Sequence, residues 1–122
     1  MEEIPSIIKD IRDCIDGHGI KTYNPGQHRG DCIEPYIVVS LNGVTSLLNV
    51  SSERPLYMLM IYVPWNNYSM LEQITYNVKQ WLKELYPMIE YAGNETPAYY
   101  SSDNKSYMVS FQCQGIRKIE RW

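Results

Sequence analysis

Cys14-x3-His18 and His28-x3-Cys32 put two thiols and two imidazoles into one short stretch of the chain. Thiolate and imidazole are the donors zinc prefers, so Cys14, His18, His28 and Cys32 together would make a Cys2His2 set. The spacing is not that of a zinc finger or ribbon, and the intervening segment would have to fold back through a glycine-rich loop. Cys14 also adjoins an apolar helical stripe. The plainer reading is a buried thiol beside loop histidines.

Cys32, next to Asp31 and near His28, invites a nucleophile reading. A catalytic thiol needs a base brought to it by the fold and donors for an oxyanion, and adjacency in a loop supplies neither. Glu72 and Glu84 lie too far apart along one helix for paired acid–base work. Gly26, Gly30 and Gly43 form no phosphate-cradling pattern, because neither GxGxxG nor GK[ST] is present. The residues therefore assign no catalytic group, cofactor or metal. A small zinc- or thiol-dependent enzyme built on Cys14, His18, His28 and Cys32 stands as the alternative from a different class. Arg29-Gly30-Asp31 and the sequons at Asn49, Asn67, Asn94 and Asn104 read as turn and surface chemistry.

The elements that would position these residues follow from periodicity. Ile4, Ile7, Ile8, Ile11 and Ile15 fall at helical spacing between charged residues, which predicts an amphipathic amino-terminal helix closed by Gly17 or Gly19. Gly17 to Asp31 reads as a loop. Ile33 to Leu41 alternates as a strand, with Tyr36, Val38 and Ser40 on one face and Ile37, Val39 and Leu41 on the other. Asn42-Gly43 is a hairpin turn signal, after which Val44 to Val50 returns as a strand or extends as an arm. Arg54-Pro55 punctuates, and Leu56 to Val63 reads as a central strand. Ser69-Met70-Leu71-Glu72 is a capping box opening a helix with the stripe Leu71, Ile74, Val78, Trp81, Leu82 and Leu85, ending at Tyr86 before Pro87. Met88 to Tyr91 suits a short strand and Thr96 to Lys105 a polar loop. Ser106 to Gln114 alternates, with Tyr107, Val109, Phe111 and Cys113 on one face.

This order predicts an α+β fold: an antiparallel or mixed sheet of about four strands with the amino-terminal helix and one long central helix packed on it. The 122 residues make a single domain, 1–122, with 43–55 as a possible extended arm and 115–122 as a carboxy-terminal tail. Apolar residues at 44% and charged residues at 20% describe a globular chain. No run approaches the roughly 20 apolar residues of a membrane span, and the acidic start is the wrong flank for a secretory signal. A soluble cytoplasmic domain with three reduced cysteines is the expectation.

The net charge is −3, which disfavours duplex DNA as a partner of the whole surface. Acids gather in Met1 to Asp16, while Arg117, Lys118 and Arg121 gather at the other end. Opposite ends of this kind can set neighbouring subunits in register. Eleven tyrosines and three tryptophans against one phenylalanine favour a place where proteins meet over a solitary core. Tyr57, Tyr62, Tyr76, Tyr86 and Tyr107 can be partly core. Trp65, Tyr68, Tyr99, Tyr100 and Trp122 fall in loops or at the end, where cover must come from elsewhere. Val44, Leu47, Leu48 and Val50 complete the expected interface as an arm that augments a neighbour's sheet.

The layout, from amino-terminal helix through Tyr36-Ile-Val-Val-Ser-Leu, Tyr57-Met-Leu-Met-Ile-Tyr-Val, Ser69-Met-Leu-Glu and Trp81-Leu-Lys-Glu-Leu to Tyr107-Met-Val-Ser-Phe-Gln-Cys, resembles the tail terminator proteins of tailed bacteriophages and prophage-derived tail-like particles. These are also called tail completion or tail-to-head joining proteins. The resemblance runs nearly the whole chain as order, length and spacing, with no diagnostic motif. It implies a virion structural protein with no active site, forming a hexameric ring that caps the tail tube and joins it to the head. Its implied partners are further copies of itself, the tail tube protein and a head connector protein, without a membrane. DNA would at most pass through the lumen, which an acidic surface suits. It implies assembly in the host cytoplasm and a final place in the tail. Another head–tail connector or completion subunit is the neighbouring alternative.

Overall fold

The computed structural model describes residues 7–46, 52–86, 88–115 and 117–118. The amino-terminal helix, α1, runs Ile7–Gly17. Ile7, Ile11 and Ile15 line its buried side, one turn apart, and each such side chain contributes about 1.5–3 kcal/mol on burial. Ile4, the first residue of the expected stripe, lies outside the described residues. The helix stops where Gly19 takes a positive φ of 96°, with the amides of His18 and Gly19 donating to Ile15 and Asp16 carbonyls.

The loop expected over Gly17 to Asp31 contains a strand, β1, at Lys21–Tyr23. Side chains fasten it to α1. The Asp16 carboxylate accepts from both the amide and the hydroxyl of Thr22, at 3.1 and 3.0 Å. Arg12 donates to the Thr22 hydroxyl at 3.2 Å and to Asn24 at 2.8 Å. Strand β2 is Tyr36–Ser46 and β3 is Ser52–Pro64. Asn42-Gly43 is not the turn between them. The register shifts there by a bulge, and pairing continues through Ser46 opposite Glu53. Of the expected arm 43–55, residues 43–46 pair with 53–56, and 47–51 lie outside the described residues. Arg54-Pro55 lies inside β3, with Pro55 opposite Val44; on the other side of β3, Ser52 and Glu53 face Lys118 and Arg117 and the ladder resumes at Leu56 opposite Gln114, so Arg54 and Pro55 fall in the gap.

A 3-10 turn at Trp65–Asn67 leads into α2, Met70–Leu82. The capping box does not form. Ser69 already has helical angles, φ −63° and ψ −19°, and makes no side-chain cap bond, because the preceding turn delivers the chain in helical geometry. Leu71, Ile74, Val78 and Leu82 are buried as expected, joined by Thr75, whose hydroxyl donates to the Leu71 carbonyl at 2.8 Å. The α-helix ends at Leu82, short of the expected Tyr86. A 3-10 turn fills Lys83–Leu85, and Tyr86 is extended ahead of Pro87.

The remaining strands are β4 (Ile89–Gly93), β5 (Tyr99–Ser101), β6 (Ser106–Gly115) and β7 (Arg117–Lys118). Among the described residues the sheet has seven strands rather than about four, in the order β1-β2-β3-β6-β4 with β5 on β6 and β7 on β3. It is mixed: β1 and β2 are parallel and every other pair is antiparallel. The class is α+β, with both helices on one face. Rows across that face read Ile37, Ile61, Val109 and Val39, Leu59, Phe111, and these pack against Ile11, Ile15 and Val78 in the main core.

Candidate assembly surface

Among the described residues no helix covers the second face of the sheet. Its rows read Tyr36, Tyr62, Met108, Tyr99, then Val38, Met60, Ser110, then Ser40, Met58, Gln112. The first two rows are shielded by loops. The crossover from β1 to β2, residues 24–35, lays His28 on Tyr36 with ring centroids 3.9 Å apart, and Tyr36 stacks on Tyr62 at 4.7 Å. Tyr23 meets both His28 and Tyr36 edge-on. Cys32 closes this small cluster and donates to the Glu34 carbonyl at 3.3 Å. Thr96 bridges to Ser110 through both backbone and hydroxyl.

Burial pushes the Cys32 thiol up to about 11, aided by the charge of Glu34, which is the reverse of what a nucleophile needs. Burial likewise raises Cys113 to about 12. The thiol and base once paired by adjacency do different work: His28 is a ring in a stack, and Asp31 faces Lys105 at 3.6 Å.

The alternative four-residue set of Cys14, His18, His28 and Cys32 is divided. Cys14 on α1 and His18 directly after it lie on the helical face; His28 and Cys32 lie on the opposite face. Cys14 and His18 instead meet Glu84 from the turn after α2, with His18 Nε2 2.8 Å from Glu84 Oε1. A separation of 66 positions hides the contact with Glu84 from any local pattern.

The expected interface residues separate in the same way. Trp65 is 60% exposed at the end of β3, and Tyr68 is exposed beside it. Tyr99 and Tyr100 are each 49% exposed but point to opposite faces, since neighbours in a strand alternate. Tyr100 and Tyr68 flank Tyr107 on the helical face, at 5.3 and 4.6 Å between centroids. Val44 pairs by backbone with Pro55, and Arg117–Lys118 pair with Glu53 and Ser52. Leu47, Leu48, Val50, Arg121 and Trp122 lie outside the described residues.

Tyr76 and Tyr86, expected to be partly core, are exposed, and so is Tyr91. Tyr76 sits off the α2 stripe, which a helical wheel of Leu71, Ile74, Val78 and Leu82 makes legible. Tyr86 and Tyr91 flank a groove of about 710 Å³ between α2 and β4, floored by Leu82, Ile89, Phe111 and Cys113. The two sides of the sheet are thus unlike. On one, β1 pairs with β2 only over Tyr36–Val38, and among the described residues nothing pairs with the outer edge of β2 from Val39 to Ser46. Leu41 stands half exposed on that edge. On the other lie β4, the groove and its tyrosines.

Neither protein-family models nor curated proteins give a match to this chain. Among the described residues no helix is long and apolar enough to cross a membrane.

Proposed function

We propose that the protein is a structural subunit that assembles with copies of itself into a ring, in the manner of a phage tail terminator, and serves by contact rather than by catalysis. The observation carrying this reading is that the sheet ends differently on its two sides: on one, a β2 edge that no described residue pairs beyond Val38, and on the other an aromatic-flanked groove. A cyclic ring needs two unlike patches that fit one another, whereas a two-fold dimer needs one self-complementary patch. Long unpaired edges are normally blunted or covered, and the occupant proposed for this one is the neighbouring subunit. Exposed tyrosines are the side chains that gain most when such a contact forms. Hexameric stoichiometry, the tail tube and head connector as partners, and residence in the tail rest on the family resemblance.

Mass in solution tests the reading. The parent chain is expected to form a closed oligomer. Leu41→Lys on one side and Tyr91→Asp on the other should each weaken association by about 2 kcal/mol or more. Mixing the two variants should restore a dimer and nothing larger, since each retains one intact patch. A chain that remains monomeric at high concentration, with polymerised tail tubes present or absent, overturns the proposal.

A further inference from the structure

The carboxy-terminal ends of α1 and α2 converge on one side of the molecule. Cys14 and His18 lie one turn apart on the same side of α1, the histidine directly following its last residue. Glu84 comes from the 3-10 turn that continues α2. Cys14 Sγ is 3.8 Å from Glu84 Oε2, His18 Nε2 is 2.8 Å from Glu84 Oε1, and donor atoms of all three lie within 4.8 Å of one another. His18 is held by stacking flat on Trp81, centroids 4.5 Å apart and planes 3° from parallel, which aims Nε2 at the carboxylate. The Cys14 thiol donates to the Trp81 carbonyl at 3.3 Å, so it too has a fixed direction.

From this geometry we infer a binding site for a borderline-soft divalent metal ion, of the zinc or cobalt type, with Cys14, His18 and Glu84 as its three protein ligands. The donor types are those zinc takes, and three ligands with a fourth position open to water is the pattern of an exchangeable rather than a closed structural site. Bond lengths of about 2.0–2.3 Å place tetrahedral ligand atoms roughly 3.3–3.8 Å apart. The imidazole and carboxylate need only spread slightly from their present contact, and Glu84 is free to do so at the surface. Two helix carboxy termini carry partial negative charge toward the same place, which favours a cation there independently of the side chains. A thiolate and a carboxylate balance the charge of a dication. On binding, the Cys14 thiol proton leaves as the S–metal bond forms. A proton on Nε2 moves to Nδ1 of a neutral ring, or leaves an imidazolium. The metal stays divalent.

None of the three ligands lines the groove or belongs to the β2 edge, so metal binding and ring assembly are read out separately. The test is titration of tag-free, full-length, metal-stripped protein with Co²⁺. One equivalent should bind, with a thiolate-to-cobalt charge-transfer band and tetrahedral visible absorption. Cys14→Ser should abolish the charge-transfer band. His18→Ala and Glu84→Gln, both surface changes whose folding is checked by circular dichroism, should weaken binding about tenfold or more. Cys32→Ser and His28→Ala should change nothing. No binding at millimolar Co²⁺ overturns the inference. So does a charge-transfer band that survives Cys14→Ser or needs Cys32. Glu84→Gln binding as tightly as the parent would also overturn it, leaving His18 and Glu84 as an ion pair only.

Discussion

Phe111→Ala is expected to lower unfolding free energy by about 3–5 kcal/mol, a large share of the roughly 5–15 kcal/mol that holds a domain of this size folded. Phe111 is 1% exposed, at the centre of β6 opposite Leu59, and is the chain's single phenylalanine. Its ring meets Tyr91 at 5.7 Å and lies under the Lys79 ammonium, 5.6 Å from the centroid. Lys79 is held there by Glu95 at 2.7 Å. Truncation therefore removes transfer energy, leaves a cavity between sheet and α2, and strips the groove beside β4 of part of its floor. Phe111→Leu, which keeps most of the volume, should cost under about 1.5 kcal/mol. Urea denaturation followed by circular dichroism reads both. A loss for the alanine variant no greater than for leucine would mean that Phe111 is not packed as described.

The second large effect is alkaline. Tyr36 is buried beneath His28 and accepts from Asn104 Nδ2 at 3.0 Å. Burial pushes its phenol up from 10.0 to about 12, against the opposing pull of the Asn104 donor. In the unfolded chain the phenol ionises first. The neutral phenol's contribution is thus complete below pH 10.0 and is lost as pH rises through about 12, a swing on the order of 1–3 kcal/mol. Tyr36→Phe cannot ionise. At about pH 8 it should be less stable than the parent by roughly 0.5–1.5 kcal/mol, having left Asn104 without its acceptor. By about pH 11 the difference should shrink or reverse. Cys32, Tyr62 and Cys113 are raised as well and add an alkaline slope to both proteins, so the difference between parent and variant is what reports on Tyr36. Parallel urea midpoints across this range would show that Tyr36 carries no such linkage.

Sequence legibility followed the length of each periodic signal. Five isoleucines at helical spacing and the alternation of Tyr107 to Cys113 are long patterns tied to burial, and the isoleucines described and the strand lie where the patterns put them. A three-residue strand carries no such pattern. Lys21–Tyr23 turns only Thr22 inward, and glycines on both sides look like loop. Asn42-Gly43 misleads for a physical reason: a bulge and a turn both exploit glycine, and the residues alone do not say which. The capping box fails similarly, because a serine can cap only if the chain arrives in an extended conformation. Of the sites, the pairing of Cys14 with His18 was visible as i and i+4, while Glu84 became their neighbour only through packing of α1 on α2.

The crossover from β1 to β2 has a kinetic consequence. Strands β2 and β3 are close in sequence and can zip locally, and β6 then closes on β3 from far down the chain. The amino-terminal piece, α1 with β1, pairs with the sheet over three residue pairs and is held there mainly by Ile7, Ile11 and Ile15, buried in its core. Those isoleucines have a surface to cover only once β2 and β3 have paired, which places the docking of α1 and β1 after the central hairpin in folding.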